Sequence, residues 1–267
     1  MIEILNNIYA IHFPVEPNTI GTLYFINGEE PALVDTGNIS TPQKYLLPFL
    51  EKINFPITKI NKIILTHNHP DHIGGISEIQ KIKNIPVAAF KKELTKTNIV
   101  LKLKNNDNIK IGSDIWNIIH TPGHTKDIIS IYNPNKKILI ASDSFQANGT
   151  KGGVAIYTNL DLYLNSIKKI KIYQINFMLL SHPFEPWGKY ILKDKEVSDY
   201  LDICIQISKK YTNTLIDIFT RSQVPLSLED INLKFRSIYN CKDSEKLSMV
   251  TVKAHLDYMK KMEYYSR

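Results

Sequence analysis

The sequence predicts an α/β protein with a helical C-terminal region, and three observations carry that prediction. Short apolar runs alternate with helix-spaced segments through the first two thirds of the chain. Strand-like runs vanish after about residue 195. Hydrophobic residues make up 43% of the 267, enough to fill a sizeable core. The expected division is therefore an α/β body over residues 1–194 and a helical module over residues 195–267.

Taken in order, the strand segments are "TLYFI", "ALVDTG", "KIILTH", "PVAAF", "WNIIHTPGH", "IISIY", "KILIASD" and "FMLLSH". Each is short and bounded by turn-forming residues, as strands are. Between some of them, "TPQKYLLPFLEKI", "GGISEIQKI" and "LDLYLNSIKKIKIY" repeat apolar residues at helical spacing. The tail continues that spacing through "KDKEVSDYLDICIQISKKYTNTLIDIFTRS", "SLEDINLKFRSIY" and "TVKAHLDYMKKMEYY". Ser227 is placed to cap the second of these, with Glu229 and Asp230 at the positive end of its dipole.

Composition narrows the function classes. No segment approaches the ~20 apolar residues of a membrane span, and "MIEILNNIYAIHF" lacks the features of a signal peptide. A soluble, cytoplasmic protein without a membrane partner is expected. Cys204 and Cys241 match no zinc or redox spacing and read as packing residues. The formal charge of +7 is spread: 21 lysines face 16 acidic residues over 1–194, and 12 cations face 10 over the remainder. Arginine occurs only at 221, 236 and 267, so bidentate phosphate recognition has no residue before that point. The distribution favours a small-molecule substrate over nucleic acid.

The chemistry concentrates in "THNHPDHIGG", residues 66–75, where His67, His69, Asp71 and His72 fall within six positions although the chain holds only eight histidines. The apolar run "KIIL" delivers this segment in extended form, so His67, His69 and Asp71 are expected to share one side. His72 is expected at the start of a helix, and Gly74 and Gly75 suit a tight strand-to-helix transition. Further ionisable residues end later strand segments: His124 in "HTPGHT", Asp143 in "LIASDSF" and His182 in "LLSHPF". Singly, each reads as a turn residue. In this order they read as the parts of one metal site assembled at a sheet edge.

That order, with Asp35 in "LVDTG", resembles the metallo-β-lactamase-fold hydrolase superfamily, specifically its glyoxalase II-like and lactonase-like members, over roughly residues 1–190. The resemblance implies a four-layer αββα sandwich with two metal ions at one edge. It implies His67, His69 and His124 on one metal, Asp71, His72 and His182 on the second, Asp143 bridging them, and Asp35 orienting the ligands. It also implies a hydrolase in which a metal-bridging hydroxide attacks a carbonyl ester, thioester or lactone, with Asp71 holding the nucleophile and passing its proton to the leaving group. The ligand set suits zinc first, with iron or manganese as alternatives.

The presence of Asp143 argues against antibiotic hydrolysis, since the zinc β-lactamases of this superfamily lack that bridging residue. A ribonuclease or phosphodiesterase is the second reading, because residues 212–267 resemble the winged-helix-like tail of smaller relatives and Lys253, Lys260, Lys261 and Arg267 make its last helix basic. A persulfide dioxygenase-like iron enzyme is the third, since its ligands are a subset of those present. Phe184 and Trp187 are candidate pocket walls, and Tyr157 a candidate donor to an oxyanion.

Overall fold

The computed structural model describes residues 2–5, 7–16, 19–90, 99–149, 152–242 and 244–262. One sheet holds β1 (Ile2–Leu5), β2 (Ile8–Glu16), β3 (Thr19–Ile26), β4 (Ala32–Val34), β5 (Lys62–Ile64), β6 (Val87–Ala89) and β7 (Ile99–Lys102) in sequence order. The second holds β8 (Asn108–Ile111), β9 (Asp114–His120), β10 (Ile129–Asn133), β11 (Ile138–Ser142), β12 (Phe177–Leu180) and β13 (Ile191–Lys193), in spatial order β13-β12-β11-β10-β9-β8. The parallel pairs β4·β5, β5·β6 and β11·β12 lie inside the sheets, and a further parallel pair, β6·β7, ends the first sheet.

Side-chain alternation makes the layers. Ile64 of β5, Ile138 and Ile140 of β11 and Leu179 of β12 share the core between the sheets. Their neighbours point the other way. Ile63 joins Leu46, Phe49, Ile76 and Ile79 beneath the helices of the first sheet. Leu139, Ala141, Met178 and Leu180 join Tyr163, Ile167, Val197 and Leu201 on the outer face of the second. The helices over the first sheet are a π-turn, Pro42–Leu46, running into α1 (Leu47–Lys52), then α2 (Pro70–Ile73) and α3 (Ile76–Ile82). Over the second lie α4 (Leu160–Ile170), α5 (Lys195–Thr220), α6 (Leu228–Ile238) and α7 (Glu245–Lys261). The fold is the expected αββα sandwich with added C-terminal helices.

Ser227 caps α6 as its sequence predicts, in a capping box closed by Asp230. The last helix starts at Glu245 rather than near Thr251. Arg267 and the end of the expected tail helix lie outside the described residues. No strand follows Lys193 among the described residues, so the tail shows helices without a wing. Of the cations expected to make the last helix basic, Lys261 pairs with Asp161, while Lys253 and Lys260 are exposed. Cys204 is buried and Cys241 half-buried against one core, and burial pushes the Cys204 thiol up to about 12. Among the described residues no helix is long and apolar enough to cross a membrane.

Candidate metal centre

The polar residues appear where the strands end. Val34 is followed by Asp35, Ile64 by Leu65, Thr66 and His67, Ser142 by Asp143, and Leu180 by Ser181 and His182. These are the carboxyl ends of parallel strands from both sheets, so their side chains meet at one edge of the sandwich. His124 arrives from the β9–β10 connection. Pro70 decides the local geometry of the "HNHPDH" segment. A residue before proline avoids helical backbone, and His69 is extended (φ −71°, ψ 149°) while Pro70 opens α2. The extended run therefore ends at His69. Asp71 and His72 sit on the short helix, which corrects the expectation that Asp71 continues the alternation.

All seven predicted side chains come together in two groups, each with its ligand-type atoms within 4.8 Å of one another: His67, His69, His124 and Asp143, then Asp71, His72 and His182. Asp143 Oδ2 stands between the groups, 3.9 Å from His67 Nε2, 3.7 Å from His124 Nε2, 3.5 Å from His72 Nε2 and 3.4 Å from His182 Nε2. His69 offers Nδ1, 3.0 Å from His124 Nε2. Asp71 Oδ2 lies 3.2 Å from His182 Nε2.

Hydrogen bonds on the far side of the rings select the tautomer. His72 Nδ1 donates to Asp35 Oδ2 at 2.8 Å, His182 Nδ1 to the Ile20 carbonyl at 2.9 Å, and His124 Nδ1 to the Ile156 carbonyl at 2.8 Å. His67 Nδ1 lies 3.2 Å from Thr66 Oγ1. Nε2 of each of these rings then faces Asp143, and in the neutral ring it presents a lone pair there, the arrangement metal-binding histidines need. His67 Nε2, His72 Nε2 and Asp143 Oδ1 are buried without a hydrogen-bond partner among the described residues. Buried polar atoms are rarely left so. Nitrogen and oxygen donors facing one point are the donor set a divalent cation fits.

Charge follows the same geometry. Burial works to raise Asp143, but His182 and His72 outweigh it and hold the carboxyl well below its ordinary range. Burial works to lower His182, yet Asp143 and Asp71 beside it hold the ring up at about 10. His124, buried and next to His69, is pushed down to about 4.

Beneath the cluster lies a hydroxyl floor that sequence reasoning missed. Asp35, at a positive φ of 65°, accepts from the Thr66 amide at 2.8 Å and the Thr66 hydroxyl at 2.7 Å. Thr66 Oγ1 is 2.9 Å from Ser142 Oγ, which is 3.0 Å from Ser181 Oγ, so the chain of hydroxyls ties the two sheets together under the histidines. Gln146 is a second omission: Oε1 accepts from the Ile156 amide at 2.8 Å, fixing the segment whose carbonyl orients His124. A usable signal existed for the floor. Thr66, Ser142 and Ser181 are the residues at which each apolar strand turns polar.

A cavity of about 450 Å³ opens over the cluster, lined by His69, Asp71, His124, Asp143 and His182 together with Phe184 and other apolar side chains. Trp187 does not line it; its ring packs against Tyr200. Tyr157 is also not a donor into the site. It is fully buried, stacked on Tyr163, with its hydroxyl 2.7 Å from His255 Nε2. The hydroxyl that suggested an oxyanion donor is spent inside the core beneath α7.

Fold and cluster together define an αββα protein with a histidine and aspartate centre at its sheet edge. The family model of the metallo-beta-lactamase superfamily matches residues 18–182, well over half of the chain, and the chain belongs to that superfamily. Among curated relatives, a hydroxyacylglutathione hydrolase of Nitrobacter hamburgensis is 31% identical over 151 residues, covering 56% of this chain and 58% of its own. A beta-lactamase-like protein 2 homolog of Caenorhabditis elegans is 29% identical over 151 residues, covering 54% and 49%. The chain thus matches about half the length of these relatives. A metallo-beta-lactamase family protein from Thermus thermophilus superposes with a TM-score of 0.81 at 17% identity, over 99% of this chain and 97% of that one. A subclass B3 metallo-beta-lactamase of Bradyrhizobium japonicum gives 0.56 at 18% identity, over 78% and 95%. At these identities the likeness concerns the fold.

Proposed function

We propose that the chain is a binuclear metal-dependent hydrolase of a carbonyl ester, thioester or lactone, acting on a small molecule. The observation that supports this best is the set of ring tautomers: Nδ1 donors locked outward on His72, His124 and His182, with Nε2 atoms turned toward Asp143. In this reading His67, His69 and His124 hold one ion, Asp71, His72 and His182 the other, and Asp143 both; zinc is the first expectation. The curated hydroxyacylglutathione hydrolase relatives lend the thioester option weight.

Two divalent cations held by these residues would supply a hydroxide near neutral pH and an electrophilic centre for the carbonyl oxygen. The remaining steps belong to the chain. Asp35 and the carbonyls of Ile20 and Ile156 hold the imidazoles in one orientation with Nε2 turned inward. Asp71, whose side chain is 19% exposed against 6% for Asp143, is the more accessible of the two carboxylates that line the cavity. It is placed to take the nucleophile's proton and return it to the leaving alkoxide or thiolate. The apolar lining keeps bulk water from competing with substrate.

The test is metal analysis of protein purified without added metal, paired with turnover of a thioester and a lactone. About two ions per chain with carbonyl-substrate turnover is the expected result. Asp143→Ala should lose most bound metal and at least ~10³-fold in kcat/KM, since a charge partner shared by both ions is gone. A variant that keeps two tightly bound ions would contradict the ligand assignment.

A further inference from the structure

The cavity over the cluster has a composition that specifies more than a reaction. Its wall beyond the histidines and carboxylates is formed by Val15, Val154, Ile156, Phe184 and Leu247, which come from β2, the segment after residue 152, the loop after β12, and α7. The polar remainder is uncharged: Thr19, Asn38 and Gln146. Among the described lining residues there is no Lys or Arg. Glutathione carries two carboxylates, and a nucleotide its phosphates; neither meets a cationic side chain among the described residues of this wall.

Leu247 is the informative member. It stands in the first turn of α7 and is 40% exposed, yet it lines the cavity above the cluster. A single exposed leucine is ordinary. Here it is continuous with four further apolar side chains and with the reacting centre. The helix that carries it is fixed to the segment bearing Val154 and Ile156, because Thr251 Oγ1 donates to the Ala155 carbonyl at 2.7 Å and His255 meets Tyr157 at 2.7 Å. The wall is therefore preformed.

We infer that this cavity takes an uncharged, hydrocarbon acyl group, so that the substrate is an apolar acyl ester, thioester or lactone rather than an anionic conjugate, with Leu247 as a specificity-determining residue. The inference rests on the hydrolase reading above for the reacting bond, and on the wall alone for the acyl group. Attack on the carbonyl forms the new C–O bond of a free acid. The C–S or C–O bond to the leaving group breaks, and that group departs with the proton carried by Asp71.

The experiment uses the full-length, zinc-loaded protein and thioesters of one neutral thiol, N-acetylcysteamine, from acetyl to octanoyl, with the succinyl thioester as an anionic counterpart of butyryl. We expect kcat/KM to rise by about 4-fold per methylene that enters the cavity, and the succinyl thioester to fall at least ~10-fold below butyryl. Leu247→Asp, a change at a partly exposed position, should flatten that dependence. In parallel, binding of n-alkanoates from acetate to octanoate is measured by calorimetry and should tighten with length. A flat or falling chain-length dependence in both measurements overturns the inference, as does preference for the succinyl thioester. Equal turnover of every thioester overturns it while leaving the hydrolase reading intact. Alkanoate binding that tightens with length, without turnover, supports it and overturns the hydrolase reading instead.

Discussion

Asp35 shows how one residue outside the ligand set controls it. Its two oxygens accept from Thr66 N, Thr66 Oγ1 and His72 Nδ1, so the carboxylate both pins the strand end and fixes the His72 tautomer. Asp35→Asn removes the charge and one acceptor at nearly the same volume. Metal affinity should fall roughly 10–100-fold, read by competition with a chromophoric chelator, while the far-UV spectrum stays unchanged. His255 gives a second prediction of a different kind. Burial pushes it down to about 3. In the neutral ring, Nδ1 donates to Thr212 Oγ1 and Nε2 accepts from Tyr157. Its folded pKa lies below the unfolded value near 6.5, so the unfolded chain binds the extra proton. The contribution of His255 is therefore intact above about pH 6.5 and is lost as pH falls toward its folded value, by up to ~1.4 kcal/mol per unit. Urea denaturation of wild type and His255→Gln at pH 7 and pH 5 should show a smaller acid loss in the variant; equal losses would remove His255 as the cause. The metal-site residues were legible in the sequence because imidazoles and carboxylates at these spacings are rare by chance. Thr66, Ser142 and Ser181 were marked only by standing where apolar strands turn polar, and Gln146 not at all, because hydroxyls and amides occur everywhere and acquire meaning only from what they touch.

At the scale of elements, the join between α2 and α3 sets the distance from the Asp35 loop to the histidines. Gly75 donates its amide to the Gly37 carbonyl at 3.0 Å, and a Cβ at Gly75 would stand 2.3 Å from the Thr36 carbonyl oxygen and 2.7 Å from Pro42 Cγ. The nearer atom is backbone and cannot swing aside. Gly75→Ala should cost about 1–3 kcal/mol, seen as a lower Tm, and should reduce metal content as the Asp35 loop shifts. A wild-type melting curve would disprove the close approach. The elements themselves were unevenly readable. The central strands β4, β5, β11 and β12 announce themselves as short, mainly apolar runs because both faces are covered. β8 alternates exposed and buried residues over only four positions, and β1, β7 and β13 are short strands at or near sheet ends, so their apolar signal is weak. The first turn of α7 escaped for a related reason: Leu247 faces the cavity opening, which makes the turn look less amphipathic than the helix it begins.

For the whole molecule, the question is how the C-terminal helices relate to the site. Tyr200 of α5 donates to the Phe145 carbonyl at 3.0 Å and accepts from the Ala147 amide at 3.2 Å. Tyr211 accepts from the Ala155 amide at 3.3 Å, and α4, α5, α6 and α7 share one hydrophobic core with the outer face of the second sheet. The residues these tyrosines hold, Phe145, Ala147 and Ala155, are chain neighbours of Gln146, Val154 and Ile156, which line the cavity. Deleting residues 195–267 would strip buried backbone groups of their partners and expose that core. The truncated chain should lose its cooperative thermal transition and most of its metal; a folded truncation retaining metal would establish the 1–194 body as independent. The tail was legible from helical periodicity, yet nothing in that pattern says which surface it covers. What the order of residues determined was an α/β body with a helical tail and the seven-residue cluster, whose family resemblance implied the αββα layering, because periodicity and metal-ligand chemistry are local properties that survive in one dimension. Tertiary structure alone decided which lone pairs converge, which hydroxyls lie beneath them and that α7 walls the cavity, because each depends on contacts between residues as far apart as Tyr157 and His255.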